Sequence, residues 1–183
     1  MTGRSPLRGE RLRRIWTSSP VSDWQVDAAF PRFLPLPAAI SRLTELGDSI
    51  MTAIVLAPFS VKPVRFTDLG RLRVQECERV AALRTELARC GAKVIEEGDT
   101  LTVSPAQLHG AEIETYDDHR MAMCFAILGL KVPGIRLKNP SCVKKTFPDF
   151  FQKLAAQPPR GLGAKVLEGR SGRALKDAEL IAE

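Results

Sequence analysis

The sequence predicts an α/β fold, and three observations predict it. Stretches with apolar residues three and four apart alternate with short β-type runs, the short runs come in pairs around turn residues, and one ten-residue run, Met121 to Leu130, carries no charge. An uncharged run of that length exceeds an ordinary strand and reads as a buried helix.

The elements follow in order from about Leu43. Ser49 to Phe59 reads as an apolar helix stopped near Pro58. Pro63 to Thr67 reads as a strand and Asp68 to Gly70 as a turn. Val74 to Cys90 has the amphipathic period, with Cys77, Val80, Leu83, Leu87 and Cys90 on one stripe and Gly91 closing the helix. Ala92 to Ile95 and Leu101 to Val103 form an expected strand pair across Glu97-Gly98-Asp99. The buried helix starts at Asp118, with Thr115 and Asp118 spaced as a capping box. A strand at Ile135 to Leu137 and a short helix from Thr146 to Asp149 onward, again with capping-box spacing, complete the regular part.

The flanks differ from this text. In residues 1–42, Arg8, Arg11, Arg13 and Arg14 crowd the start, and Pro20, Pro31, Pro35 and Pro37 interrupt any period, so a disordered leader is expected. Residues 43–156 form the regular domain. Residues 157–183 open on Gln157-Pro158-Pro159-Arg160-Gly161 and read as a linker and polar tail, with one weak helix near Ala174 to Ala182.

Composition narrows the function classes. The chain has 183 residues, 44% hydrophobic and 26% charged, an ordinary globular balance. No uncharged run approaches the roughly 18 residues of a membrane span, and the basic start lacks the apolar core of a signal peptide. Cys77, Cys90, Cys124 and Cys142 lack metal-site spacing, and only His109 and His119 could join them, so reduced thiols of a cytoplasmic protein are expected, with no metal. The net charge of +6 suits acidic partners. A single tyrosine and no aromatic–basic interleaving argue against nucleic acid. The basic groups sit beside acids and at helix starts, which suits a small polyanion.

Four charged clusters could do chemistry. Asp117-Asp118-His119-Arg120 stands at the mouth of the buried helix, where free N–H groups and the helix dipole favour an anion. Asp48 begins the first apolar helix and would serve there as an N-cap or as a functional acid. Glu76 and Arg79 lie three apart, opposite the apolar stripe, as a solvated ion pair or as part of a site. Lys144-Lys145 precede the final helix, exposed or functional.

Taken together the strings resemble a known family. Gln75-Glu76-Cys77-Glu78-Arg79, Tyr116-Asp117-Asp118-His119-Arg120-Met121-Ala122-Met123, Lys145-Thr146-Phe147-Pro148-Asp149-Phe150-Phe151 and Asp48-Ser49-Ile50-Met51-Thr52 are similar, in order and spacing, to motifs of the EPSP synthases, 3-phosphoshikimate 1-carboxyvinyltransferases. The similarity covers about Leu43 to Leu154 and looks like the C-terminal part of such an enzyme. It implies a domain of βαβαββ units, about two of them here. The implied reaction transfers the enolpyruvyl group of phosphoenolpyruvate to shikimate 3-phosphate, in chorismate and aromatic amino acid biosynthesis, with no cofactor. The resemblance implies that Asp48 contacts the shikimate hydroxyls and takes or relays a proton. Glu76 would serve the methylene group as acid and then base, and His119 would support the site by hydrogen bonding. Arg79, Arg120 and Lys145 would hold phosphoenolpyruvate and the phosphate it loses, since guanidinium groups suit carboxylate and phosphate. Gln75 stands where the family pattern usually has lysine, and Arg71 where it has asparagine. Both positions are implied to contact the phosphorylated shikimate, and Gln75 keeps a hydrogen bond there without the charge.

The resemblance also implies a two-domain enzyme more than twice this length, with its site in the cleft between domains. A complementary N-terminal EPSP synthase domain is therefore the expected partner, and the chain alone is expected to be inactive. Two other readings stand beside this one: a relative of UDP-N-acetylglucosamine enolpyruvyl transferase, and an inactive remnant serving as a basic interaction module.

Overall fold

The computed structural model describes residues 26–182. Its first strand, β1 (Ala39–Ser41), pairs in parallel with β2 (Val64–Thr67), with helix α1 (Ile50–Leu56) crossing between them. A one-turn helix α2 (Gly70–Arg73) leads into α3 (Arg79–Arg89), and the hairpin β3 (Val94–Glu97) and β4 (Thr100–Val103) follows. β2 pairs antiparallel with β4, so the sheet order is β1-β2-β4-β3. The β-α-β-α-β-β order is complete here if α2 is taken as the lead-in to α3. A second run, β5 (Glu112–Ile113), α4 (His119–Gly129), β6 (Arg136–Leu137) and α5 (Phe150–Ala155), repeats its first four steps, with β5 and β6 paired in parallel.

α1 is the centre of the core. Ile50, Met51, Ala53, Ile54, Val55 and Leu56 are all buried, as an apolar helix without a polar face requires. It packs against α3 and α4, whose buried residues include Val80, Leu83 and Leu87 on one and Met121, Phe125 and Leu128 on the other. The inward faces of the strands, Ile40, Val64, Phe66, Leu101 and Val103, join the same cluster. A smaller cluster of Ala122, Val143, Phe150 and Leu154 lies on the other side of α4. Among the described residues no helix is long and apolar enough to cross a membrane.

Several expected boundaries move, each for a visible reason. The helix expected over Val74 to Cys90 starts at Arg79, because the Glu78 side chain caps it by accepting from Ala81 N–H. Arg73 holds that cap by pairing with Glu78 at 2.6 Å, and residues 74–78 form a turn that leaves Val74 exposed. The buried helix is capped by Asp118 itself, whose Oδ1 accepts from Arg120 N at 2.8 Å and Met121 N at 3.3 Å. Thr115 instead donates its hydroxyl to Lys138 O at 2.8 Å, so the capping box is not formed. The last helix begins at Phe150 rather than Thr146, with no side-chain cap from Asp149. Asp48 likewise caps nothing with its side chain; it is drawn into ion pairs described below.

The described parts of the flanks, residues 26–42 and 157–182, are better packed than their composition suggests. Arg8, Arg11, Arg13, Arg14 and Pro20 lie outside the described residues. The boundary expected at residue 42 does not coincide with the edge of the core, since Phe30 and Ile40 are each 1% exposed and β1 is part of the sheet. The reason is burial: two large apolar side chains outweigh the local proline content. The tail also folds back: Leu162 N and Ala164 N donate to Leu154 O, Ala182 N donates to Pro148 O, and Leu180 is buried. The weak helix expected over Ala174 to Ala182 is a short 3-10 turn, Asp177–Leu180.

Candidate active site

Four segments distant in the sequence bring their charged groups together on one side of the core. The turn before α1 supplies Asp48, the turn between α2 and α3 supplies Gln75 and Glu76, and the start of α3 supplies Arg79. The start of α4 supplies Asp118, His119 and Arg120, and the 3-10 turn Pro140–Lys145 supplies Lys145.

Arg79 is the hub. Its side chain is 3% exposed and its Nε donates to Asp118 Oδ2 at 2.6 Å, while Nη2 reaches Asp118 Oδ1 at 3.3 Å. Asp118 is fully buried, so this is a desolvated, two-pronged guanidinium–carboxylate pair, the strong kind. Burial opposes the charge on Asp118, yet Arg79 and the two helix N–H groups hold its carboxyl below the usual range. The outer edge of the same guanidinium makes longer contacts, Nη1 to Asp48 Oδ2 at 3.5 Å and Nη2 to Glu76 Oε2 at 3.4 Å. It also donates to Gln75 Oε1.

Asp48 is the second junction. Gln75 Nε2 donates to its Oδ2 at 3.3 Å, and Arg120 Nε lies 3.5 Å from the same oxygen. Its Oδ1 is held by Arg42 through Nε at 3.0 Å and Nη2 at 2.6 Å. Burial again works against ionisation, but Arg42, Arg120 and Gln75 keep the Asp48 carboxyl lowered. Arg42 was not expected here; it falls in the segment read as a leader. Its one sequence signal, an arginine six residues before an acid, is too weak to single out.

Glu76 joins the remaining groups. Its Oε2 lies 2.8 Å from His119 Nδ1, and its Oε1 receives Lys145 Nζ. The His119 Nδ1 atom is buried and the Glu76 oxygen is out of line for a hydrogen bond, so this nitrogen has no properly directed partner. Desolvation lowers the imidazole's pKa, with Glu76 and Asp118 opposing that effect and Arg120 and Arg79 adding to it. Lys145 and Arg120 are the outward cations, their side chains 59% and 37% exposed. Arg71 is exposed on α2 and makes no hydrogen bond or ion pair with the cluster among the described residues.

Glu76, Asp118 and His119 place one donor atom each within 4.8 Å of one another. Arg79 already pairs with both carboxylates, so the negative charge there answers a guanidinium. The four cysteines are free thiols, and Cys77, whose Sγ donates to Asp118 Oδ2 at 3.5 Å, is pushed up to about 12 by burial and by that carboxylate. It is a packing and hydrogen-bonding residue rather than a nucleophile.

The chain's similarities agree with one another. The family model for EPSP synthase (3-phosphoshikimate 1-carboxyvinyltransferase) matches residues 9–154, beginning well before Leu43, where the resemblance read from the sequence begins. The 3-phosphoshikimate 1-carboxyvinyltransferase of Nostoc punctiforme is 45% identical over 111 residues, 61% of this chain and 26% of that protein. That of Rhizobium etli is 40% identical over 164 residues, 78% of this chain and 39% of that protein. That of Pseudomonas syringae pv. syringae is 44% identical over 138 residues, 72% of this chain and 32% of that protein. The chain thus spans between a quarter and two-fifths of the length of these curated relatives. The solved EPSP synthase of Acinetobacter baumannii shares the fold over 71% of this chain and 28% of its own, with a TM-score of 0.55 at 24% identity. On the family match, the chain belongs to the EPSP synthase (3-phosphoshikimate 1-carboxyvinyltransferase) family.

Proposed function

We propose that the chain forms one wall of an enolpyruvyl-transfer site. With a complementary N-terminal EPSP synthase domain as the other wall, it would move the enolpyruvyl group of phosphoenolpyruvate to the 5-hydroxyl of shikimate 3-phosphate and release phosphate. The observation that carries this reading is the convergence of Asp48, Glu76, Arg79, His119, Arg120 and Lys145 from four separate segments.

In the addition step the 5-hydroxyl oxygen bonds to C2 of phosphoenolpyruvate while a proton goes to the C3 methylene. In the elimination step the C–O bond to phosphate breaks and C3 returns a proton. Asp48, held ionised by Arg42 and Arg120, orients the hydroxyl, takes its proton as the O–C2 bond forms and relays it to the phosphate that leaves. Glu76 delivers and recovers the C3 proton, with His119 Nδ1 at 2.8 Å and Lys145 beside it to exchange protons. Arg79, anchored through Nε, presents its outer edge, whose longer contacts at 3.4 and 3.5 Å can give way to ligand oxygens. Arg120 and Lys145 meet the phosphoryl group from the exposed side. Gln75 contacts the shikimate ring through its amide, and Arg71 meets the same substrate only at the rim. The locale proposed is the cytoplasm.

The test is complementation. The chain is mixed with the separately expressed N-terminal domain of a family member, and phosphate release from the two substrates is followed. Turnover is expected in the mixture, with loss of at least about a hundredfold in Glu76→Gln. Turnover by the chain alone, or an unchanged rate in Glu76→Gln, would overturn the reading.

A further inference from the structure

Besides Arg79 and Asp118, the fully buried charged residue among those described is Glu86, at 0% exposure, on α3 and outside the charged cluster. It follows Arg79 by seven residues, two helical turns, and so shares its face. Its carboxylate accepts from Tyr116 Oη at 2.9 Å and from Glu114 N at 3.2 Å, and Arg89 Nη1 approaches at 3.0 Å from the solvent side. Glu114 and Tyr116 belong to the segment that delivers Asp118 and His119 to the site.

That segment is bent against ordinary preference. Tyr116 and Asp117 have φ of 55° and 53°, two consecutive non-glycine residues in the left-handed region. Side chains disfavour that region, so such residues persist only where their surroundings hold them. The far side is held by Thr115 donating to Lys138 O at 2.8 Å and by Asn139 donating to Asp117. The near side of the turn itself is held by Glu86, through Tyr116 and Glu114 N, while Arg79 grips Asp118 after the turn and Arg89 donates to Glu112 O at 3.3 Å before it. A relaxed turn would carry Asp118 and His119 off their partners, because they follow it directly.

We propose that Glu86 is a positioning residue of this site: it fixes the double left-handed turn, so that α3 grips the segment at two points, Glu86 to Glu114 and Tyr116, and Arg79 to Asp118. The inference rests on the cluster being the active site, and it adds a residue that never touches substrate.

The two histidines give the test a clean signal, since His109 is exposed on another loop and serves as reference. Imidazole resonances of the intact chain are titrated with pH in Tyr116→Phe, which removes one bond, and in Glu86→Gln, which keeps one acceptor in place of two; Glu86→Ala is the extreme variant. The groups around His119 are Glu76, Asp118, Arg79 and Arg120, so its titration reports their geometry. In folded variants the His119 titration is expected to move up toward the ordinary imidazole value, more in Glu86→Gln than in Tyr116→Phe. Phosphoenolpyruvate binding should weaken by on the order of 10- to 100-fold in Glu86→Gln. An unchanged His119 titration in folded Tyr116→Phe and Glu86→Gln overturns the proposal, even where Glu86→Ala does not fold. If His119 responds while the wild-type chain binds no phosphoenolpyruvate, the positioning role stands and the assignment of the site's function falls.

Discussion

Arg79 and Lys145 both pair with Glu76, yet they are opposite kinds of cation. The Arg79 side chain is 3% exposed and committed through its inner edge to a buried carboxylate, whereas Lys145 is 59% exposed and pairs with Glu76 alone among the described acids. The first cation builds the site and the second is free to serve it. A buried pair resists loss of either partner because the remaining charge has no water, while an exposed pair is screened and easily exchanged for a ligand.

The largest effect that would test this contrast is the loss of Arg79. Arg79→Met leaves Asp118 charged and buried and should destabilise the chain by about 3–5 kcal/mol. Urea unfolding reads this directly, and a loss below about 1 kcal/mol would end the claim that Arg79 is structural. Acid titration probes the same interior. The carboxyls of Asp118 and Asp48 are depressed in the fold, so their stabilisation is complete above the ordinary value of 3.8 and is lost as pH falls through their lower folded values. His119 is depressed too, so the unfolded chain takes up that proton first and stability begins to decline as pH falls below 6.5. The melting temperature should therefore be flat between about pH 7 and 8, fall below 6.5, and fall more steeply below 3.8; a rise on acidification from pH 7 would contradict the assignment.

Arg42→Ala should cost less, about 1–2 kcal/mol, because Asp48 keeps Gln75, Arg79 and Arg120 as partners. It should also weaken shikimate 3-phosphate binding in the complemented protein more than phosphoenolpyruvate binding; an equal loss of both would blur the division of labour. Lys145→Met is the smallest structural change, within about 1 kcal/mol by urea unfolding.

The contrast was half legible in the sequence. Asp48, Glu76, Arg79, His119, Arg120 and Lys145 stand in charged strings beside apolar runs, and the structure does gather them. The burial of Arg79 was not legible: placed by the sequence pattern opposite the apolar stripe, it in fact stands one turn before Leu83 on the buried face of α3, where its long side chain reaches Asp118. Arg42 was hidden by the proline-rich text before it. Glu86 was hidden because an acid in mid-helix reads as solvent-facing, although Leu83 and Leu87 beside it on the stripe were a usable signal. The fold fared similarly. The periodicity of α1, α3 and α4 and the turn at Gly98 placed the main elements, with Gly98 open to solvent at a φ of 55°. Helix starts moved wherever a side chain outside the pattern did the capping, as Glu78 does for α3. Chain reversals that depend on distant burial, such as the tail returning to Pro148 and Leu154, leave no local pattern.

The central claim is that a buried Arg79 organises a wall on which exposed cations bind an anion. Titration of phosphoenolpyruvate into the intact chain and into Lys145→Met tests it most directly, with urea midpoints measured on the same samples. The account predicts closely matched midpoints and binding at least about tenfold weaker in the variant. Equal affinity at equal stability would contradict it.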